Sequence, residues 1–264
     1  MKLFTFLFFS ILLTISTTIR AHEFWLEAAP FYQKIDLTTE ITLNVGQHMD
    51  GQLLPNIPAW YRHFDVITSK GLKPVDGELG RDPAGYVSIK TPGIYAIGYE
   101  STIKTVDFEP EKFTKYLKNE GLEKIIKRRN ELGESNKNGL EIYYRNVKAL
   151  IKVGDKTEIN NYNYDFNYPL NINPLKNPYQ LTQGDELRVQ LTFNQKPAAN
   201  LLLQAKIKNR PAFDFSVRTD AQGYANVPLK HKGVWLLHTV EMIRSKQQDI
   251  DWESYWGSMT FEIR

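Results

Sequence analysis

The chain has 264 residues, 42% of them hydrophobic, no cysteine and a formal net charge of +3. The missing cysteine excludes disulfides, thiolate metal sites, a cysteine nucleophile and a lipid-modified N-terminal cysteine. The charge gives little reason to expect a nucleic-acid partner, because Lys2 and Arg20 stand in a removable leader that holds no acid, leaving +1 on the mature chain.

That leader is the first predicted element. Lys2 supplies a positive start, Leu3 to Ile15 are apolar apart from Thr and Ser, and Ser16 to Ala21 end in Ile-Arg-Ala. The apolar run falls short of the roughly 20 residues that span a bilayer. Residues 1–21 are therefore expected to be a signal peptide, cut near Ala21/His22, with a periplasmic or secreted product. No later apolar segment is long enough to cross a membrane.

Strand signals dominate from Ile35 to Tyr99. Ile41 to Val45 alternate with period two. Tyr86–Lys90 and Ile94–Tyr99 flank the turn Thr91-Pro92-Gly93, which predicts a core hairpin. Glu109 to Leu132 is the helical region: Pro110 suits a first turn, Phe113, Tyr116 and Leu117 recur at helical spacing, and Gly121 divides it into two pieces. Its basic run Lys124–Arg129 reads as a solvated face. Tyr143 to Val153 returns to strand alternation.

Residues 160–177 are rich in Asn and Tyr and read as an extended connection without a clean period. Beyond it, Glu186–Phe193, Leu201–Ile207, Ala225–Leu229, Val234–Ile243 and Met259–Ile263 are short strands at the spacing of an immunoglobulin-like sandwich. The expected fold is mainly β. Two immunoglobulin-like β-sandwich domains cover 22–158 and 179–264, with a helical insertion at about 109–132 in the first and a linker over 159–178.

Several segments carry a resemblance. They are Ala21-His22-Glu23-Phe24-Trp25-Leu26-Glu27, Phe113 to Leu122, Tyr144 to Leu150, Asn177-Pro178-Tyr179-Gln180-Leu181 with Gly184-Asp185, Thr219-Asp220-Ala221-Gln222-Gly223, and Trp252-Glu253-Ser254-Tyr255-Trp256. In this order they resemble a family of exported proteins with a domain of unknown function, often labelled as periplasmic components of nickel/cobalt uptake. The resemblance implies a divalent transition metal, nickel or cobalt, as ligand and a membrane metal-transport complex as partner; imidazole chemistry adds copper to the candidate metals. The second half also looks like a carboxypeptidase-regulatory sandwich. Asn171 stands where an acid is expected in close relatives.

Cleavage after Ala21 would make His22 the mature N-terminus, and a terminal histidine chelates a metal through its α-amine and Nδ1. The competing reading is an ordinary residue near a cleavage point. Among the five histidines, His48 ranks first as a partner because its loop leaves a strand and can turn toward the terminus. His238 follows, with a structural histidine as its alternative. His63 and His231 lie among cationic neighbours and read as surface residues. Glu23 and Glu27 could add a carboxylate, although Phe24 and Trp25 suggest a strand anchored in a core.

No nucleophile elbow, phosphate loop, zinc-protease helix or dinucleotide fingerprint is present, so no enzymatic activity is expected. Two other functions compete with metal delivery. One is a non-metal envelope-interaction or glycan-binding module, for which Trp252, Tyr255 and Trp256 could offer an aromatic platform. The other is copper redox chemistry at a histidine brace.

Overall fold

The computed structural model describes residues 23–264. Both the expected leader and His22 lie outside the described residues. In chain order the strands are β1 (Glu23–Ala29), β2 (Tyr32–Gln33), β3 (Thr38–Gln47), β4 (Asp50–Leu54), β5 (Tyr61–Thr68), β6 (Gly71–Pro74), β7 (Gly85–Ser88), β8 (Gly93–Ser101) and β9 (Lys104–Phe108). Helices α1 (Pro110–Asn119) and α2 (Glu123–Glu131) follow, then the long β10 (Gly139–Val153). The remainder is β11 (Ile159–Asn160), β12 (Leu170–Pro174), β13 (Glu186–Phe193), β14 (Lys196–Pro197), β15 (Leu202–Ile207), β16 (Phe215–Arg218), β17 (Tyr224–Pro228), β18 (Gly233–Arg244) and β19 (Trp252–Ile263).

The protein is mainly β, in three layers. The middle layer is one large sheet in the order β16-β15-β18-β19-β10-β8-β5-β6. One outer sheet holds β1, β3, β4 and β7, and the other holds β12, β13, β14 and β17. Side-chain alternation explains the stacking. Tyr95, Ile97 and Tyr99 of β8, with Val147, Ala149 and Ile151 of β10, face the first outer sheet and pack on Leu26, Ile41 and Leu43. Ile94, Ala96 and Leu150 point the opposite way, onto Leu170, Val189 and Leu191. The central strands are thus buried on both faces, and two sandwich cores share one sheet. One outer sheet is built from strands before residue 159 and the other from strands after residue 169, while the middle sheet draws strands from both parts of the chain. Parallel pairing of β10 with β19 joins the halves.

Two sequence expectations are corrected. Residues 86–99 do not form a hairpin: β7 pairs with β3, whereas β8 pairs with β10 and β5, so Thr91-Pro92-Gly93 carries the chain from one layer to the next. Residues 160–177 are not wholly irregular, because Leu170–Pro174 forms β12 against β13. Its pattern escapes period two because Leu170, Asn171 and Ile172 are all buried. The helical hairpin does match the sequence. Gly121 at φ +67 ends the first helix, and a Cβ there would meet Leu202 at 2.7 Å. Phe113, Tyr116, Leu117 and Ile125 pack on Val240, Met242, Trp252 and Trp256 of the middle sheet. The basic run is not uniformly solvated, because Arg129 is buried and donates to the carbonyls of Glu134 and Lys137.

Candidate functional site

β1 and the helical hairpin cover adjoining parts of one face of the middle sheet. Trp252 and Trp256 on β19 lie under the helices. Two residues further along the same face, Ser258 Oγ donates to the Phe24 carbonyl at 2.8 Å and Thr260 Oγ1 to the Leu26 carbonyl at 2.7 Å. Register places Gln204, His238 and Ser258 in one row across β15, β18 and β19. Lys206 and Leu236 belong to the next row, which continues to Thr260. His238 therefore sits where the helical insertion meets the start of β1.

Glu23, the first described residue, organises this junction. It pairs with Gly46 in the β1–β3 ladder and is buried, as is the Lys206 ammonium that donates to its Oε1. The turn joining β3 to β4 supplies two further donors: His48 N–H to Oε1 at 3.0 Å and Met49 N–H to Oε2 at 3.2 Å. Burial pushes the Glu23 carboxyl upward, but Lys206, His238 and the His48 amide outweigh it and hold the group below its ordinary value. Trp25, on the same face of β1, packs on Met49 and Leu236 and seals the arrangement. Glu27 pairs with Lys208 one step along.

The turn has an unusual sequence for its shape. Gln47 faces Asp50, and His48 and Met49 between them have φ of 52° and 59°. Two-residue hairpins with positive φ at both positions usually hold Asn-Gly. The flanking Gly46 and Gly51 are required by close approach, since a Cβ on Gly46 would lie 2.0 Å from the Asp50 carbonyl oxygen. Met49 is a packing residue, buried with Trp25 and Leu236.

The two ranked body histidines behave differently. The His48 side chain is 55% exposed, and its Nδ1 lies 2.5 Å from Asp214 Oδ2 in the loop before β16. The His238 side chain is 2% exposed; its Nε2 lies 3.1 Å from Glu120 Oε2, and its ring lies beside Trp256. Glu120 follows α1 and also accepts from Gln204 Nε2 at 3.1 Å. The structure thus brings the His48 main chain to Glu23, while the His238 side chain is engaged with Glu120 and Trp256. Both donor sets are nitrogen and oxygen, which suits nickel, copper or zinc. Among the described residues, no group of three or more His, Asp and Glu could hold a metal ion.

His63 is exposed and lies 3.5 Å from Asp65. His231 departs from the surface reading: it is half-buried, with its ring 4.0 Å from that of Phe213. Trp252 and Trp256 are core residues under the helices, leaving Tyr255, stacked on Tyr144 at 4.9 Å, as the accessible member of that aromatic group.

Three buried polar residues, two at the junction and one under the helices, escaped sequence reasoning. Lys206 occupies a polar position in an alternating strand and reads as solvated. Glu120 ends an amphipathic helix, where charge is unremarkable. Glu141 begins β10 as one more polar residue, yet it is buried, accepting from Ser254 Oγ and from Tyr116 OH at 3.3 Å, while Trp256 Nε1 donates to Ser254 Oγ at 2.9 Å. Only burial of the strands' second face, set by tertiary packing, reveals these groups.

A family model described as "Domain of unknown function (DUF4198)" matches residues 19–242, and the chain belongs to that family. No curated protein matches. Among solved structures, the chain is similar to the D0-D1 domain of intimin at 12% identity, covering 90% of this chain and 97% of that one, with a TM-score of 0.20. The adhesin InvE of Yersinia pseudotuberculosis shows 13% identity, 91% and 58% coverage and a TM-score of 0.22. Trypsin-activated alpha-2-macroglobulin from Escherichia coli shows 11% identity, 91% and 15% coverage and a TM-score of 0.23. No described helix is long and apolar enough to cross a membrane.

Proposed function

We propose that this protein is exported, binds a divalent transition metal (nickel, cobalt or copper) through the mature N-terminal His22, and passes it to a membrane metal-transport complex without catalysing a reaction. One observation carries the reading. Glu23, covalently next to His22, is anchored by the amides of the His48 turn and by Lys206. A buried carboxylate held by a lysine and two amides is committed to anchoring and is not a free ligand. Its role is to fix the backbone beside the chelating residue.

The donor chemistry fits the metal. A terminal amine and imidazoles are ligands of nickel and copper, and neutral imidazole is available near neutral pH. The Lys206 ammonium opposes a cation, but its charge is matched by Glu23 at the same point. The metal is cargo in this reading, held by nitrogen donors and released to the transporter.

The test uses calorimetry with nickel and copper on two forms, one beginning at His22 and one carrying a single extra residue ahead of it. The extra residue converts the α-amine to an amide and removes the chelate. Tight binding by the first form and a loss of at least tenfold in the second is the expected result. Equal affinity would end the reading.

A further inference from the structure

We propose that the side chains of Lys148 and Asn171 react with each other to form an amide bond, with Asp165 as the catalytic carboxylate, and so tie the middle sheet covalently to an outer one. The inference is independent of the metal reading above, and all its groups lie among the described residues. Lys148 Nζ donates to Asn171 Oδ1 at 2.7 Å, and Asn171 Nδ2 donates to Asp165 Oδ1 at 2.9 Å. An amine, a carboxamide and a carboxylate on the carboxamide nitrogen are thus in contact in that order. The two bonds fix the orientation of the carboxamide, since the reverse would set Oδ1 against the carboxylate, acceptor against acceptor.

The fold supplies each group. Lys148 lies on β10, where alternation puts it on the face of Leu150 and not on that of Val147 and Ala149. Asn171 lies on β12 of the outer sheet that covers the Leu150 face. Lys148 is 1% exposed and Asn171 2%, so bulk water neither solvates an ammonium here nor competes for the carbonyl. Burial lowers the Lys148 amine to about 7 against the pull of Asp165, which leaves a large share of it uncharged and nucleophilic at neutral pH. As packing alone this lysine is poorly accounted for, because its hydrogen-bond partner is a neutral carboxamide and no charge in contact offsets its desolvation. Asp165 is exposed, and its Oδ1 also accepts from the Asn167 N–H at 2.8 Å. It closes the site on the solvent side, where ammonia can leave.

The step balances without a co-reactant. Rotation about the Cε–Nζ bond turns the lone pair of the neutral amine onto Asn171 Cγ, one bond beyond the contacted oxygen. The Nζ–Cγ bond forms as the carbonyl electron pair moves onto Oδ1. Nζ and Nδ2 then share one carbon, so the Asp165 oxygen that holds Nδ2 also reaches Nζ and carries a proton from Nζ to Nδ2. The electron pair returns from Oδ1, the Cγ–Nδ2 bond breaks, and Nδ2 departs as ammonia. Nothing is oxidised or reduced. Fixed proximity of the reacting groups lowers the barrier, as in other intramolecular reactions. The amide does not titrate, so any contribution of Lys148 to pH-dependent stability belongs to the chain before closure. Once closed, the link restricts the unfolded chain as a disulfide would, in a sequence without cysteine.

Trypsin digestion and tandem mass spectrometry test the proposal on folded protein held at neutral pH. Trypsin cuts after a free Lys148 and not after an acylated one. The expected product joins residues 146–152 to residues 157–176 and is lighter than the two peptides together by one ammonia. Fragmentation should place the link between Lys148 and Asn171, which separates it from a succinimide made by Asn171 with its own main chain. Lys148→Met and Asn171→Ala should give no branched peptide. Asp165→Ala alters an exposed residue, should keep the fold, and is expected to slow linking by about a hundredfold or more, the range for a positioned acid–base group. Recovery of unlinked peptides alone from the unsubstituted protein, cut after Lys148, overturns the proposal. Linking at the same rate in Asp165→Ala overturns the role given to Asp165.

Discussion

Two buried polar regions lie on the middle sheet, and they handle charge in opposite ways. At the start of β1, Glu23 faces Lys206 and two turn amides, and its carboxyl stays ionised. Elsewhere on the sheet, Glu141 and Lys148 are buried without an opposite charge in contact. Burial drives the Glu141 carboxyl up to about 8, offset only in part by Ser254 and Tyr116. Burial likewise drives the Lys148 ammonium down to about 7, with Asp165 opposing, and its hydrogen-bond partner is the neutral Asn171 at 2.7 Å. A sheet that buries both faces can keep a charge only where the opposite charge reaches it; otherwise the group moves toward neutrality. The junction at Glu23 is one place where charge has been retained.

The sharpest way to break this contrast is to remove one partner of the retained pair. Lys206→Met should destabilise the protein by about 3–5 kcal/mol, because an uncompensated carboxylate would remain buried against Trp25 and Met49. Adding Glu23→Gln should restore much of the loss, since the amide oxygen still accepts from the turn while the charge is gone. Urea unfolding of the two variants measures both. Equal stability of single and double variants would show that Glu23 reaches solvent more readily than its burial indicates.

The second test uses pH and the unpaired groups. Between the ordinary carboxyl value of 4.5 and about 8, the folded chain keeps a proton on Glu141 that the unfolded chain has released. Stability should therefore fall as pH rises through that window, at up to about 1.4 kcal/mol per pH unit for one proton. Lys148 has the opposite effect. Between about 7 and its ordinary 10.5 the unfolded chain holds a proton that the folded chain has lost, so stability rises with pH there. Glu141→Gln should flatten the falling limb, and Lys148→Met the rising one. Unfolding free energies from pH 5 to 10 decide the matter, and a profile indifferent to both substitutions would show that neither group is neutral when buried.

These groups also mark the limit of what the residues alone can tell. Period-two alternation located β13 at its observed bounds, and Pro110 and Gly121 delimited the helices, because these signals are local. The pairing of β7 with β3 and of β10 with β19 depends on which layer a strand joins, and no local pattern carries that. The same holds for the site. His48 and His238 were recognisable as imidazoles in suitable segments, but Glu120 and Lys206 are separated from their partners by 118 and 183 positions. Arg129, Glu141 and Lys148 read as solvated because polar residues in an alternating or amphipathic pattern ordinarily are. Here their faces are covered by a second layer.

The smallest effect separates the two histidines. His48 sits at φ 52° in a turn where glycine is at ease, and a non-glycine residue in that region costs roughly 1 kcal/mol. Its side chain offers little in return, since an exposed pair such as that with Asp214 is worth about 0–1 kcal/mol. Met49, beside it, is explained by burial with Trp25 and Leu236. His48→Gly should therefore leave stability unchanged or raise it by about 0.5 kcal/mol, read by urea unfolding. A loss beyond 1 kcal/mol would show that the Asp214 contact holds the turn against the loop before β16. The same variant, titrated with nickel, distinguishes the candidate ligands. Affinity should be unchanged if His238 completes the chelate, because the main-chain amides that hold Glu23 survive the substitution; a fall of tenfold or more would assign the metal to His48 instead.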